Sequence, residues 1–141
     1  MILEEFDTSL TAVINPWNII KPVEGIPRVA VACYSHVTFE RIVGELGAHI
    51  IAETSSANGI KPIYKAKYKD TEVAIFMIDV GAPMSVGMLE DVYQMGVQKV
   101  IIFGTCGVLD SSIEDCSIII PEIAVRDCLL YTSPSPRDST S

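Results

Sequence analysis

Three short apolar runs, each stopped by a turn residue, limit what this chain can fold into. RVAVAC at residues 28 to 33 is rich in β-branched and small side chains and too short for a helix. Glu72 to Val80 and Lys99 to Phe103 share that character, and Ser117 to Ile120 is a shorter further strand. Runs that are apolar throughout, rather than alternating, suit strands buried on both faces of a sheet. Helical spacing fills the gaps between them. Ser35 is placed as an N-cap, Phe39, Ile42, Val43 and Leu46 recur on one face, and Gly47 closes the segment. Pro83 suits a first helical turn, Met88, Leu89, Val92 and Met95 continue the period, and Gly96 stops it.

Between the first helix and Glu72 the pattern changes to a hairpin. A strand is expected at His49 to Ala52, followed by loop residues TSSANG. Tyr64, Ala66 and Tyr68 then alternate with Lys65, Lys67 and Lys69, and Lys69 to Thr71 form the turn into the next strand. Strands alternating with helices predict an α/β fold, three layers α/β/α, with a mixed, largely parallel sheet. The strands ending near Cys33, Val80 and Phe103 should lie side by side with their C-terminal ends together. Residues 1 to 27, with Pro16, Pro22 and Pro27 and no sustained period, predict an irregular arm.

Composition then removes several functions. Ten Lys and Arg against 18 Asp and Glu leave a formal net charge of −8, which opposes gripping a phosphate backbone, so nucleic acid is not an expected partner. No apolar stretch approaches the roughly 20 residues of a spanning helix, so no membrane partner is expected. The N-terminal MILEEFDTSL is acidic where a secretory signal would be basic, which predicts a cytoplasmic chain. Cys33, Cys106, Cys116 and Cys128 form no C-x-x-C pair, and His36 and His49 are not spaced with them as metal ligands. Free or buried thiols and no metal are expected. The segment 128 to 141, CLLYTSPSPRDSTS, has no period and no large apolar residue after Tyr131. It reads as a disordered or non-native tail behind a folded region of residues 1 to 127.

The most informative stretch is DVGAPMSVGMLEDVYQMGVQKVIIFGTCGVLD, residues 79 to 110. One strand ends at Gly81 and a helix follows at Pro83, so free N–H groups face the rim of the sheet. A second ends in Gly104, Thr105, Cys106 and Gly107, where glycines let a ligand approach the backbone and Thr105 offers a hydroxyl. On these features alone, ligand binding and plain turn chemistry stand level. The segment resembles the nucleoside phosphorylase superfamily of uridine phosphorylase and the hexameric purine nucleoside phosphorylases. Gly81, Ala82 and Pro83 look like its G-G/I-P turn, Glu90, Asp91 and Gly96 match its helix, and GTCG at 104 to 107 matches its G-[ST]-x-G loop. The likeness extends more loosely from Arg28 to Asp127 and implies the N-terminal half of such a domain.

The resemblance implies phosphorolytic cleavage of a nucleoside N-glycosidic bond, giving free base and ribose 1-phosphate. Inorganic phosphate would be the co-substrate, with no other cofactor, and the intact parent would be a homo-oligomer. It implies that Thr105 contacts phosphate and ribose, that Gly104 and Gly107 shape that pocket, and that Val80 and Gly81 flank the sugar. Three family arginines are replaced. A G-D-P-x-R loop corresponds to Tyr34, Ser35, His36, Val37 and Thr38, with Thr38 at the arginine; Ile102 stands at a second; Lys61 falls near a third. Losing bidentate guanidinium contacts weakens a phosphate site. A nucleosidase using water and a non-catalytic nucleoside-binding domain therefore stand as alternatives. The 141 residues alone are expected to be inactive, because the family's base-binding groups lie in the other half.

Other candidates have plainer readings. His36 and Glu40, four apart, suit a solvated helix face more than an acid–base pair. Cys106 reads as a small buried thiol, since no base adjoins it. The alternating Lys65, Lys67 and Lys69 read as protection for an exposed strand rather than an anion site. Glu90 and Asp91 diverge by about 100° on a helix, which prevents a shared proton.

Overall fold

The computed structural model describes residues 13–114 and 117–123. Its elements are α1 (Pro16–Ile19), β1 (Val29–Cys33), α2 (His36–Glu45), β2 (His49–Ser56), β3 (Gly59–Tyr68), β4 (Thr71–Met77), α3 (Ala82–Met95) and β5 (Lys99–Phe103). All of them belong to one compact unit, Val13–Cys106; the second unit comprises residues 1–12 and 107–141.

The five strands form one mixed sheet in the order β2, β3, β4, β1, β5. The β2/β3 and β3/β4 pairs are antiparallel, whereas β1 pairs in parallel with both β4 and β5. Cys33 is level with Met77 on one side and Phe103 on the other, so the three strand ends share one rim. The period of two along the strands divides the core into two layers. Ala30, Ala32, Ala74, Phe76 and Ile78 pack with Met88, Val92 and Met95 of α3. Cys33, Ile75 and Ala66 pack on the other side with Phe39, Ile42, Val43 and Leu46. Phe39 and Tyr64 meet edge to face with ring centres 5.7 Å apart. Helix, sheet and helix are thus the three layers expected.

Both helices begin and end where local chemistry dictates. The Ser35 hydroxyl accepts the Thr38 amide at 3.3 Å as the cap of α2. Gly81, at φ 106°, starts α3, and Gly96, at φ 124°, ends it; both values favour glycine.

Several boundaries differ from the sequence expectation. The second strand runs to Ser56 rather than Ala52: Thr54 faces Lys61 and Ser56 faces Gly59, so backbone pairing extends polar residues across a tight turn. The last apolar strand of that layer stops at Met77, not Val80, although the Ile78 amide still donates to Cys33 O at 3.1 Å. Lys99–Phe103 is an edge strand whose Ile101, Ile102 and Phe103 are exposed, because nothing pairs beyond it among the described residues. The arm contains one helical turn, α1, started by a proline that needs no amide partner.

In the second unit, Ser117–Ile120 forms no strand among the described residues. A β-branched run has the propensity but no ladder there to join. Its described part is turn structure: Ser112 donates its amide and hydroxyl to Asp110 Oδ1 at 2.8 and 2.7 Å. These bonds, the amide first, hold the Asp110 carboxyl below its ordinary value. The predicted tail, 128–141, lies outside the described residues.

Candidate functional site at the strand rim

Three chain segments leave the rim: Tyr34 and Ser35 from β1, Ile78 to Gly81 from β4, and Gly104 to Cys106 from β5. Since β1 lies between the other two, the β4 and β5 turns are separated by two strand spacings, about 10 Å. In open α/β sheets, this end of the parallel strands is where ligands bind.

Tyr34 joins the two turns. Its amide donates to Phe103 O at 3.3 Å, and its ring lies so close to Gly104 that a Cβ there would be 3.0 Å from Cδ2. Its hydroxyl is 3.1 Å from Ser85 Oγ, in the first turn of α3. Ser85 Oγ donates to the carbonyl of Asp79 at 2.7 Å. A carbonyl only accepts, so the serine proton is committed and Tyr34 donates to Ser85. Ser85 is buried, which makes this chain of bonds costly to break.

Beside the rim, a cleft of about 260 Å³ opens between the β2/β3 hairpin and α3. Thr54, Ser55, Ser56, Lys61, Asp79 and the Glu90/Asp91 pair contribute its polar lining. The Lys61 ammonium donates to Asp79 Oδ1, so its charge is balanced inside the cleft. Burial, and secondarily the neighbouring Glu90, push the Asp91 carboxyl above its ordinary value. On the α2 side a second cleft of about 560 Å³ is lined by Phe39, Val43, Tyr64 and Met77, with His36, Glu40 and Lys61 at its polar positions.

The six residues singled out from sequence fall in different places. Gly81, Gly104 and Thr105 stand at the rim; Val80 is 83% exposed beside Gly81. Lys61 lines both clefts, and the other five line neither. Gly107 begins the second unit and is described with it alone. Cys106 is exposed rather than buried, because none of the described residues packs over it. Cys33 is buried and free; Cys116 and Cys128 lie outside the described residues. His36 and Glu40 form a 3.5 Å pair with both side chains largely exposed, the solvated helix face expected. Lys65 is not an edge guard: β3 is paired on both sides, and Lys65 bonds Glu72 at 2.9 Å and Gly25 O at 3.0 Å. Sequence reasoning missed Tyr34, Ser85 and Asp79. An aromatic directly after a β-branched strand and a serine in a helix's first turn were the available signals.

Among the described residues no group of three or more His, Cys, Asp or Glu could hold a metal, and no helix is long and apolar enough to cross a membrane.

Fold and rim together define a layered α/β/α protein with glycine turns over the C-terminal ends of parallel strands. The chain belongs to the phosphorylase superfamily, whose family model matches residues 28–139. Uridine phosphorylase from Vibrio fischeri is similar in structure, with a TM-score of 0.55 and 21% identity over 77% of this chain and 43% of that one. The 5′-methylthioadenosine/S-adenosyl homocysteine nucleosidase of Helicobacter pylori aligns at 0.48 and 18% identity, over 64% and 38%. Futalosine hydrolase from the same organism aligns at 0.48 and 18%, over 63% and 37%. The chain thus spans less than half the length of these solved structures. No curated protein matches it.

Proposed function

We propose that residues 1–127 form the N-terminal half of a domain that cleaves the N-glycosidic bond of a nucleoside, acting in the cytoplasm as a homo-oligomer. The observation that carries this reading is the parallel pairing of β4, β1 and β5, which sets Gly81 and Gly104 to Thr105 along one rim. In this proposal Thr105 contacts the ribose and the nucleophile, Gly104 shapes their pocket, and Val80 and Gly81 flank the sugar. The bond breaks through a cationic sugar, so the rim's work is to hold a nucleophile beneath C1′ and orient the ring.

Phosphorolysis, yielding ribose 1-phosphate, is supported by the amide and hydroxyl donors of the two turns. Hydrolysis is supported by the cations. Arg28 precedes β1 at the opposite end of the sheet, and Arg41 lies on α2 facing Glu45. Lys61 retains two ammonium donors, but Asp79 neutralises it, so it supplies hydrogen bonds more than positive potential. Among the described residues the rim therefore has no arginine to clamp a phosphate, and water is the nucleophile that this geometry favours.

The test is equilibrium binding of uridine and inosine to the 141-residue chain and to Thr105→Val. Saturable binding of one nucleoside, weakened about tenfold in the variant, is expected for a lost hydrogen bond of about 1.4 kcal/mol. Absence of binding to either nucleoside at millimolar concentration would overturn the proposal.

A further inference from the structure

We infer that Tyr34 bars phosphate from the rim and so selects water as the nucleophile; the inference rests on the reading of the rim as the nucleoside site. Tyr34 is the first residue after β1, the strand between the two turns, so any ligand spanning those turns passes over it. The ring edge takes the space that the missing side chain of residue 104 leaves open. Cδ2 would lie 3.0 Å from a Cβ built there, with Cε2 and Cγ at 3.8 Å. Its far end is held by Ser85, whose own proton is committed to Asp79 O. The side chain is therefore fixed at both ends, on the β5 turn and on the first turn of α3.

A tetrahedral anion in this gap would need the amides of both turns at once. It meets instead the aromatic edge of Tyr34, which takes the space between them and offers no donor to a charge that must shed its hydration. A single water is smaller and needs only two to four polar partners. The balanced step is hydrolysis. The water oxygen bonds to C1′ as the C1′–N bond breaks, the bonding pair leaves with the base, and the proton released from water ends on the base. The products are free sugar and free base. Tyr34 touches no reacting bond in this scheme and is a specificity-determining residue through the space it fills.

The experiment measures binding of inorganic phosphate, and separately of uridine and inosine, to the wild-type chain, Tyr34→Phe and Tyr34→Gly, by titration calorimetry with circular dichroism as the fold control. Wild type and Tyr34→Phe, which keeps the ring, are expected to bind a nucleoside but no phosphate at millimolar concentration. Tyr34→Gly should bind phosphate at least about tenfold more tightly than either. If Tyr34→Gly unfolds, Tyr34→Ala carries the same comparison. Phosphate binding by wild type equal to that of the opened variant, or no gain in a folded opened variant, overturns the role of Tyr34 alone. Absence of nucleoside binding by wild type overturns the rim reading and this inference together.

Discussion

Lys61 of β3 and Asp79, two residues beyond β4, form an ion pair in which each side chain is only 21% exposed. The pair joins the hairpin layer to the segment that enters α3, at the wall of the smaller cleft. Removing one partner leaves a mostly buried charge without compensation, whereas removing both leaves none. Lys61→Met or Asp79→Asn alone should therefore cost about 2 kcal/mol in urea unfolding. The double variant should cost less than the sum of the singles, giving a coupling of about 1 kcal/mol in a double-mutant cycle. Additive losses would show the pair to be solvated and its energetic role absent.

Gly87 inside α3 and Gly96 at its C-terminal cap should respond to alanine in opposite directions. Gly96 has φ 124°, and an added Cβ would stand 3.0 Å from Ile26 Cγ2, so Gly96→Ala meets both backbone strain and a contact with the arm. A loss of about 2 kcal/mol is expected. Gly87 lies inside the helix with nothing within 4 Å of an added Cβ. Gly87→Ala should gain about 0.5 to 1 kcal/mol from helix propensity and a less flexible unfolded chain. Denaturation midpoints of the two variants decide this directly.

How much of this was legible beforehand follows from the range of each signal. Ser35, Pro83 and Gly96 mark helix ends through contacts within a few residues, so their roles could be read along the chain. The parallel rim followed from apolar runs that each stop at a turn. Apolar character alone did not separate a central strand from an edge strand, so the exposure of Ile101, Ile102 and Phe103 was unreadable. Thr54 to Ser56 became strand through pairing with Gly59 to Lys61, a tertiary effect that overrides weak local propensity. Tyr34 and Ser85 are 51 residues apart and carry no periodic pattern, so the bond that organises the rim appears only in three dimensions.

Asp91 should make stability fall as pH rises through the carboxylate range. Its folded-state value is raised above 3.8, by burial first and by Glu90 second. Between its ordinary value and the raised one, the folded chain binds more protons than the unfolded chain, so unfolding free energy decreases with pH. The contribution is fully present below 3.8 and is lost once pH exceeds the raised value. Asp91→Asn should flatten this part of the profile and raise stability at neutral pH, measured as melting temperature against pH. An unchanged slope would refute the assignment.

The segment 129–141 should be dispensable. Beyond Tyr131 it offers Ser, Thr, Pro, Arg and Asp, which bury little apolar surface. Deleting it is expected to shift the melting temperature by less than about 2 °C. A larger fall would make the segment part of the fold.

The last expectation concerns turnover. The rim supplies amides, the Thr105 hydroxyl and a fixed tyrosine, all suited to one side of a sugar, but departure of the base also needs a proton or a donor on its ring. His36 and Glu40, an acid–base combination within one turn of helix, are paired with each other and solvated, at the cleft on the α2 side. Asp91 has a raised value suited to an acid, yet it faces the cleft between α3 and the hairpin, which Asp79 alone of the described rim residues lines. The chain spans 43% of the length of the uridine phosphorylase it resembles, and no group for the base is identified among the described residues. They are therefore expected to bind nucleoside while releasing no base from uridine or inosine above the uncatalysed rate, with or without phosphate. A chromatographic assay of free base checks this, and turnover that His36→Gln or Glu40→Gln abolishes would place the missing acid on α2.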